Sequence, residues 1–407
     1  MATNEQRTRV AVLFGGRSSE HTVSCATAGG VLTAIDRERF EVVPIGITRD
    51  GAWVLEEDDP AKFALNRAKL PEVVDNGTRV HLPSSALHHE LTVSYLSGAP
   101  AQSTSRRPSS AETTATEARA DLSTRRSLGV IDVVLPLLHG PFGEDGTLQG
   151  TLEMLDLPFV GSSVLASAVA MDKHYTKIVL RDAGLRVAGG FTVYDRDWGD
   201  GDDASAVRVR DRAASDIGFP LFVKPARAGS SVGVSKVESP ETFDDAMRTA
   251  FAEDDHVLIE AGIDGREVEV AVLESRPGEP PRVSVAGEIV MTDIPFYDFA
   301  AKYLDAPGVE LVCPAPLTEA ELAEMQSISV RAFEALGCEG LARVDFFLGD
   351  DGFVINEVNT LPGFTPISMF PKCWEASGLT YSQLITELVE VALASAHARR
   401  SRRARLG

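Results

Sequence analysis

Cysteine is scarce in this chain of 407 residues. Four stand at Cys25, Cys313, Cys338 and Cys373, with no Cys-x-x-Cys and no paired spacing. That excludes a disulfide framework or a thiolate metal cluster as the organising device. Long apolar runs are absent too: no stretch of eighteen apolar residues exists, and Met1 to Arg7 lead straight into a strand pattern. Neither a membrane span nor a signal peptide is expected, and Asn76-Gly77-Thr78, a glycosylation triplet, has no secretory context. Positive charge is in deficit. A net charge of −21 disfavours nucleic acid and anionic membranes as partners. The expectation is a reduced, soluble, cytoplasmic chain.

One segment lacks almost every core-forming residue. From Gly98 to Ser127 the only large aliphatic side chain is Leu122. Such a stretch cannot bury a core and reads as a mobile insertion, set at about 84–128. His88-His89-Glu90 precedes it; adjacent residues do not converge on one ion, so a surface loop is expected there. The five arginines between Arg399 and Arg405 read as the frayed, solvated end of a last helix.

What is present suits an enzyme of two or three domains. Arg9 to Phe14 is a buried strand, followed by Gly15-Gly16-Arg17-Ser18-Ser19-Glu20-His21 and a small-residue helix starting near Thr22 or Ser24. Strand, glycine turn and helix open a doubly wound sheet, although a lone Gly-Gly is more often only a tight turn. Phe40 to Ile47 and Val130 to Pro136 read as further parallel strands. The second runs into Leu138-His139-Gly140-Pro141-Phe142-Gly143-Glu144-Asp145-Gly146, a loop at a strand's carboxyl end, where open α/β sheets place ligands.

The middle opens with one helix from about Ser167 through Lys173 to Ala183-Gly184, then an acidic loop from Asp197 to Asp203. Phe219 to Pro225 is a strand delivering Lys224. The small-residue loop Ala226 to Val234 can close its backbone N–H groups over phosphates, with Lys173 and Lys224 supplying charge. His256 to Ile263 reads as a strand leaving a short connector, a plausible adenine slot, and Gly265 to Val270 as the next strand.

The densest signal lies near the C-terminus. Arg343-Val344-Asp345-Phe346-Phe347 and Phe353-Val354-Ile355-Asn356-Glu357-Val358-Asn359 are separated by Gly349-Asp350-Asp351-Gly352, a hairpin turn. Glu357 and Asn359 are two apart and share a face, and the turn brings Asp345 beside them. Three oxygen ligands, two of them carboxylates, suit a hard cation such as Mg²⁺ that also holds phosphates. The alternative is a solvated acidic face, for which Ile355, Val358 and Phe346 leave little room.

Taken in order, Val-Lys-Pro at Val223, the small-residue loop, Leu258-Ile259-Glu260, Gly265-Arg266-Glu267, Arg343-Val344-Asp345 and Glu357-Val358-Asn359 resemble the ATP-grasp fold of carboxylate–amine ligases. Within it the chain is similar to the D-alanine–D-alanine ligases. Gly15 to His21 resembles the family's first signature, His139-Gly140 through Gly143 to Gly150 its second, and Asn359 to Met369 its last; Ala301-Lys302-Tyr303 after Phe296-Tyr297-Asp298 resembles its mobile ω-loop. Asp298 and Asp305 mark that loop as exposed. The likeness covers nearly the whole chain except the insertion and tail. One departure is Ala261, where the family commonly has lysine; a backbone contact with adenine tolerates it.

The resemblance implies an α/β chain with an N-terminal doubly wound (pre-ATP-grasp) domain over 1–165, a small central α+β domain over 166–265, a C-terminal α+β domain over 266–395 and a basic tail over 396–407. It implies ATP-driven joining of two D-alanines through an acyl phosphate, with two Mg²⁺ or Mn²⁺ ions, in a homodimer. Lys173, Lys224 and metals on Asp345, Glu357 and Asn359 would hold the phosphates, with Lys302 also on the ATP side. Glu260, Ala261 and Ile263 would line the adenine slot and Glu267 would take the ribose hydroxyls. Arg343 would steady the tetrahedral intermediate. Glu20 would bind the first D-alanine's ammonium, with Ser230 and Tyr303 tying it to the loop; His139 and Ser231 would border substrate. Ser368, beside Met369 and Gly363, would meet the second D-alanine's carboxylate. Glu20 as a helix-start acid, Ser368 as an N-cap and Tyr303 as a buried aromatic stay open as structural roles. D-lactate or another amino acid as second substrate, and an ATP-binding regulator without turnover, are the competing functions; the tyrosine of the ω-loop, the Glu20 and Ser368 signatures, and the complete ligand set with Arg343 stand against them in turn.

Overall fold

The computed structural model describes residues 7–65, 70–96, 125–199, 204–291 and 308–406. The chain divides into two compact units, Met1–Leu138 with Thr151–Phe159, and His139–Gly150 with Val160–Gly407.

In the first unit, β1 (Thr8–Gly15) lies between parallel neighbours and is buried from Val10 to Phe14, as an apolar run in a parallel sheet must be. The sheet order is β3-β2-β1-β7, with β2 at Phe40–Ile47, β3 at Trp53–Leu55 and β7 at Val133–Pro136. Helix α1 (His21–Ala34) starts earlier than the Thr22 or Ser24 expected. Its first residue fixes the preceding turn: His21 Nδ1 lies 2.6 Å from Gly16 O, and Nε2 accepts from Val73 N–H at 3.0 Å. Gly15 has φ +89°, and a Cβ there would sit 2.3 Å from Ile47 O, so the glycine is obligatory.

A second, antiparallel sheet joins β4 (Thr78–His81), β5 (Glu90–Tyr95) and β6 (Arg126–Val130). It corrects two expectations. The run Val130 to Pro136 is not one parallel strand: Asp132 accepts from Arg9 N–H at 2.7 Å and breaks it, leaving Val130 in β6 and Val133 in β7. The insertion is also narrower than 84–128, because Glu90–Tyr95 and Arg126–Ser127 are paired strand residues. Most of the remainder, 97–124, lies outside the described residues.

The boundary between the units falls within α2 (Thr147–Met154), and the second unit continues with α3 (Val164–Met171) and α4 (Lys173–Asp182). The single helix expected from Ser167 to Gly184 is thus two. Asp172 interrupts it in an extended conformation and its carboxylate caps α4 by accepting from His174 and Tyr175 N–H. The expected acidic loop at 197–203 begins instead as one helical turn, α5 (Asp195–Trp198); 200–203 lie outside the described residues.

The four-stranded sheet has order β10-β9-β11-β8, from β8 (Gly190–Tyr194), β9 (Leu221–Pro225), β10 (Ser235–Val237) and β11 (His256–Ala261). Leu221, Val223, Val257 and Ile259 point into a core with α6 (Ala204–Arg212) and α7 (Phe243–Phe251). By strand alternation Lys224, Leu258 and Glu260 take the other face.

The five-stranded sheet runs β14-β13-β12-β15-β16, from β12 (Arg266–Leu273), β13 (Arg282–Met291), β14 (Val309–Val312), β15 (Leu341–Gly349) and β16 (Gly352–Asn359). Helix α8 (Glu319–Ala335), started by a Thr318–Glu321 capping box, covers one face through Met325, Ala332 and Phe333 against Val268, Val270, Val344 and Phe346. On the other face α9 (Met369–Ala376) lies so close that a Cβ on Gly287 would meet the Met369 sulfur. The arginine tail is not frayed: α10 (Tyr381–Leu406) carries it as helix, held by Ser395 to Glu274 and Arg399 to Glu339. Among the described residues no helix is long and apolar enough to cross a membrane.

Candidate active site

The β15–β16 hairpin gathers the acidic residues as its spacing predicts. Asp345 is directly opposite Glu357, and Arg343 opposite Asn359. Alternation sends Val344, Phe346, Ile355 and Val358 into the core and the polar set to the other face. Between Glu357 and Ile355 the register slips, leaving Asn356 as an unpaired extra residue. Such a bulge re-aims a side chain.

Arg343 grips Asp345 with Nε and one Nη, both at 2.7 Å, and its Nε lies 3.1 Å from Glu269 of β12. Asn359 Nδ2 donates to Asp345 at 2.9 Å. Burial alone would loosen the Arg343 proton, but Asp345 and then Glu269 hold it well above the usual arginine range. Two carboxylates and an amide oxygen on one hairpin face are a hard donor set that fits Mg²⁺ or Mn²⁺. Among the described residues no three of His, Cys, Asp or Glu gather as a metal site, since the third member here is an amide.

Opposite stands a lysine group. Lys173, first residue of α4, donates its Nζ to Ala228 O at 2.8 Å and lies 3.6 Å from Glu357. It thereby ties the 226–234 loop to the hairpin. Lys224 meets Asn356 Oδ1 at 3.5 Å and pairs with Glu260. The other oxygen of Glu260 pairs with Lys177 at 2.9 Å, and Lys177 also reaches Asn356 O at 3.4 Å. Burial would raise the Glu260 carboxyl, but Lys177 and then Lys224 override it and hold it at about 2. Burial draws Lys177 down against the pull of Glu260, with Lys224 and Lys173 adding to the descent. The result is a buried acid shared by two amines.

The connector after β11 is partly committed. Ala261 N–H donates to Gly189 O at 2.9 Å and Gly262 N–H to Pro220 O at 3.2 Å, while Ala261 and Ile263 stay half-exposed. Glu267 lies on the same face of β12 as Glu269, opposite Phe347 and Ile289. In the 226–234 loop Ser230 and Ser231 both adopt left-handed backbone, with φ 49° and 59°. That is a costly shape for serine and a common one where backbone N–H groups turn inward. The loop's base is fixed by Arg227, which pairs with Asp254.

Ser368 is the N-cap of α9, but its hydroxyl turns back to Thr365, accepting from the amide at 3.1 Å. Gly363 faces it: a Cβ there would lie 3.3 Å from Ser368 Oγ. Met369 is buried, its side chain lying against Gly287 of β13. His139 is buried, with Nδ1 3.2 Å from Leu361 O. The rest of that signature folds its own loop: Glu144 accepts from Gly140 N–H, Asp145 from Phe142 and Thr147 N–H, and Gln149 donates to Gly143 O.

Glu20 belongs to the first unit, buried immediately before α1, where its side chain makes no capping bond. Lys302 and Tyr303 lie outside the described residues. Hairpin, loop and lysines come together as expected; Lys177, Asn356 and Glu269 were missed. Lys177 was findable as the residue one turn after Lys173. Asn356 was not, because a bulge belongs to the pairing of two strands.

A small-residue loop with Lys224 of β9 and Lys173 and Lys177 of α4, beside an Arg–Asp–Glu–Asn cluster on a second sheet, is the arrangement of an ATP-grasp ligase. The comparisons sharpen this. Models described as D-ala D-ala ligase N-terminus and C-terminus match residues 9–162 and 179–390. The D-alanine–D-alanine ligase of Paenarthrobacter aurescens is 48% identical over 390 residues, 95% of each chain, and that of Arthrobacter sp. (strain FB24) 49% over 395, 96% of each. Among solved structures, the D-alanine–D-alanine ligase of Coxiella burnetii superposes with a TM-score of 0.73 at 32% identity, covering 97% of this chain and 96% of its own. The VanG D-Ala:D-Ser ligase of Enterococcus faecalis gives 0.74 at 31%, covering 95% and 100%. This chain belongs to the D-alanine–D-alanine ligase family.

Proposed function

We propose that the chain joins two D-alanines into D-alanyl-D-alanine for peptidoglycan precursors, using ATP in two steps. The carboxylate of the first D-alanine takes the γ-phosphoryl group of ATP, releasing ADP. The amine of the second then attacks the acyl phosphate's carbonyl carbon, the carbon–oxygen bond to phosphorus breaks, and phosphate leaves carrying one former carboxylate oxygen. The observation that carries this reading is the ion cluster in which Lys173 of α4, bound to the loop through Ala228 O, meets Glu357 of the hairpin at 3.6 Å, beside the Arg343–Asp345 pair.

Phosphoryl transfer needs alignment and charge neutralisation more than covalent help. Lys173 and the 226–234 loop, with left-handed backbone at Ser230 and Ser231, suit the phosphates. Lys224, held by Glu260 and Asn356, is placed toward the nucleotide, whose base would rest on the connector through the carbonyls of 260–263 and the Ile263 amide. Glu267 would hold the ribose. Arg343, with Nε and one Nη already engaged, has its second Nη for the developing oxyanion. Two Mg²⁺ or Mn²⁺ ions on Asp345, Glu357 and Asn359 would polarise the transferring phosphoryl oxygens when bound. Glu20 would receive the first substrate's ammonium, with Ser230 and Tyr303 closing over it; His139, Ser231, Gly363 and Ser368 would border the substrates. The three-part division at 165 and 265, a cytoplasmic location and a homodimer belong to the same proposal.

The test is phosphate release and dipeptide formation with ATP and D-alanine, against D-lactate, D-serine and L-alanine as second substrate. Turnover with D-alanine well above the others is expected. Preference for D-serine or D-lactate would reassign the second site.

A further inference from the structure

The fold joins two cysteines that the sequence keeps apart. Cys313, just past β14, and Cys373, inside α9, are 60 positions apart in the chain, yet their sulfurs are 3.8 Å apart. Cys313 is partly exposed and Cys373 buried. The other two cysteines are unlike them: burial pushes the Cys25 and Cys338 thiols up to about 12, where little thiolate exists. The two elements also differ in freedom. β14 is the edge strand of its sheet, while α9 packs on β13 and is preceded by its N-cap Ser368.

We propose that Cys313 and Cys373 form a peroxide-responsive thiol pair, whose disulfide clamps β14 to α9. The Cys313 thiolate attacks one oxygen of a hydroperoxide; the O–O bond breaks, and water or an alcohol leaves. The resulting sulfenic acid is attacked by Cys373; the S–O bond breaks, and hydroxide takes the Cys373 proton to leave as water. Two thiols and one hydroperoxide give one disulfide, with the two peroxide oxygens reduced. The roles follow from exposure and contact: Cys313 is the partly exposed thiol, 3.8 Å from the buried Cys373, and Cys373 with Lys372 holds the Cys313 thiol below its usual range while Cys373 is held up. Closing the gap to about 2.05 Å needs sulfur movement of about 1.8 Å, within reach of two short side chains and an edge strand. A dithiol reverses the bond by exchange. Resting on the ligase reading, the clamp disturbs the N-terminus of α9 and with it the second D-alanine site.

The test treats the full chain with hydrogen peroxide, alkylates it and maps its peptides, with Cys313→Ser alongside. The expected result is a Cys313–Cys373 cross-link that dithiothreitol removes and that Cys313→Ser lacks, a readout needing no enzyme activity. Cys313 carried to sulfinic or sulfonic acid without a cross-link overturns the proposal, as do two unmodified thiols at peroxide doses that oxidise free glutathione. In the cross-linked protein the KM for D-alanine is expected to rise severalfold, with that for ATP unchanged. An unchanged D-alanine KM overturns the coupling to α9.

Discussion

Replacing Glu357 by glutamine keeps the side chain's shape and removes one charge from the cation set. Lys173 lies 3.6 Å from its carboxylate, which is a quarter exposed, so stability should change by less than about 1 kcal/mol. Turnover should fall about a thousandfold or more, and ATP affinity with metal should drop to its value without metal. Titration of ATP with and without Mg²⁺ checks this; wild-type turnover in the variant would remove Glu357 from the cation site. Lys177→Met is the opposite case. It strips one partner from a buried carboxylate and should cost about 3 kcal/mol, read as a lower urea midpoint. The same triad sets a pH response. Glu260 is held at about 2, below its ordinary 4.5. A depressed acid gives its stability above the unfolded value and loses it as pH falls through the folded one. Wild type should therefore lose about 3 kcal/mol between about pH 4.5 and 2, and Glu260→Gln should show a flatter slope there. An identical slope in the variant would mean other carboxylates govern acid unfolding. The shared face of Asp345, Glu357 and Asn359 was readable because period two and a four-residue turn fix it; the lysine partners of Glu260 were not, since their partnership crosses elements.

Single elements were legible where one local rule ruled. β1, β2 and the hairpin each bury or alternate as their composition dictates. The misread elements are those where one polar residue outweighs an apolar pattern: Asp172 divides a helix by capping its second half, and Asp132 divides a strand by binding the Arg9 amide. Asp172→Ala should cost about 1 kcal/mol and weaken ATP binding through Lys173, whose position at the start of α4 it fixes. Thermal unfolding and ATP titration measure both; unaltered ATP affinity would show that the loop alone places Lys173. The strand pairing also sets where the insertion can be cut. Val93 and Arg126 are paired, so the ends of β5 and β6 adjoin. Deleting 98–123 with a short Gly-Ser bridge should leave folding and activity nearly intact, since loop length costs only about 0.6 kcal/mol per doubling. Extending the deletion through Val130 removes β6 and should destabilise the first unit. Loss of folding in the shorter deletion would mean the segment packs on the body.

For the whole molecule, family membership was legible from the order of six short motifs, none sufficient alone. The division into units was not, because His139–Gly150 and Thr151–Phe159 belong to different units although adjacent in sequence. ATP is expected to activate a D-alanine carboxylate as an acyl phosphate before the second amine attacks. The direct measurement uses D-alanine labelled with heavy oxygen in its carboxylate, with unlabelled ATP and water, and follows the label by mass spectrometry. One heavy oxygen is expected in the phosphate released for each dipeptide formed. Unlabelled phosphate, with the dipeptide's new amide carbonyl made without transfer of that oxygen, would contradict it.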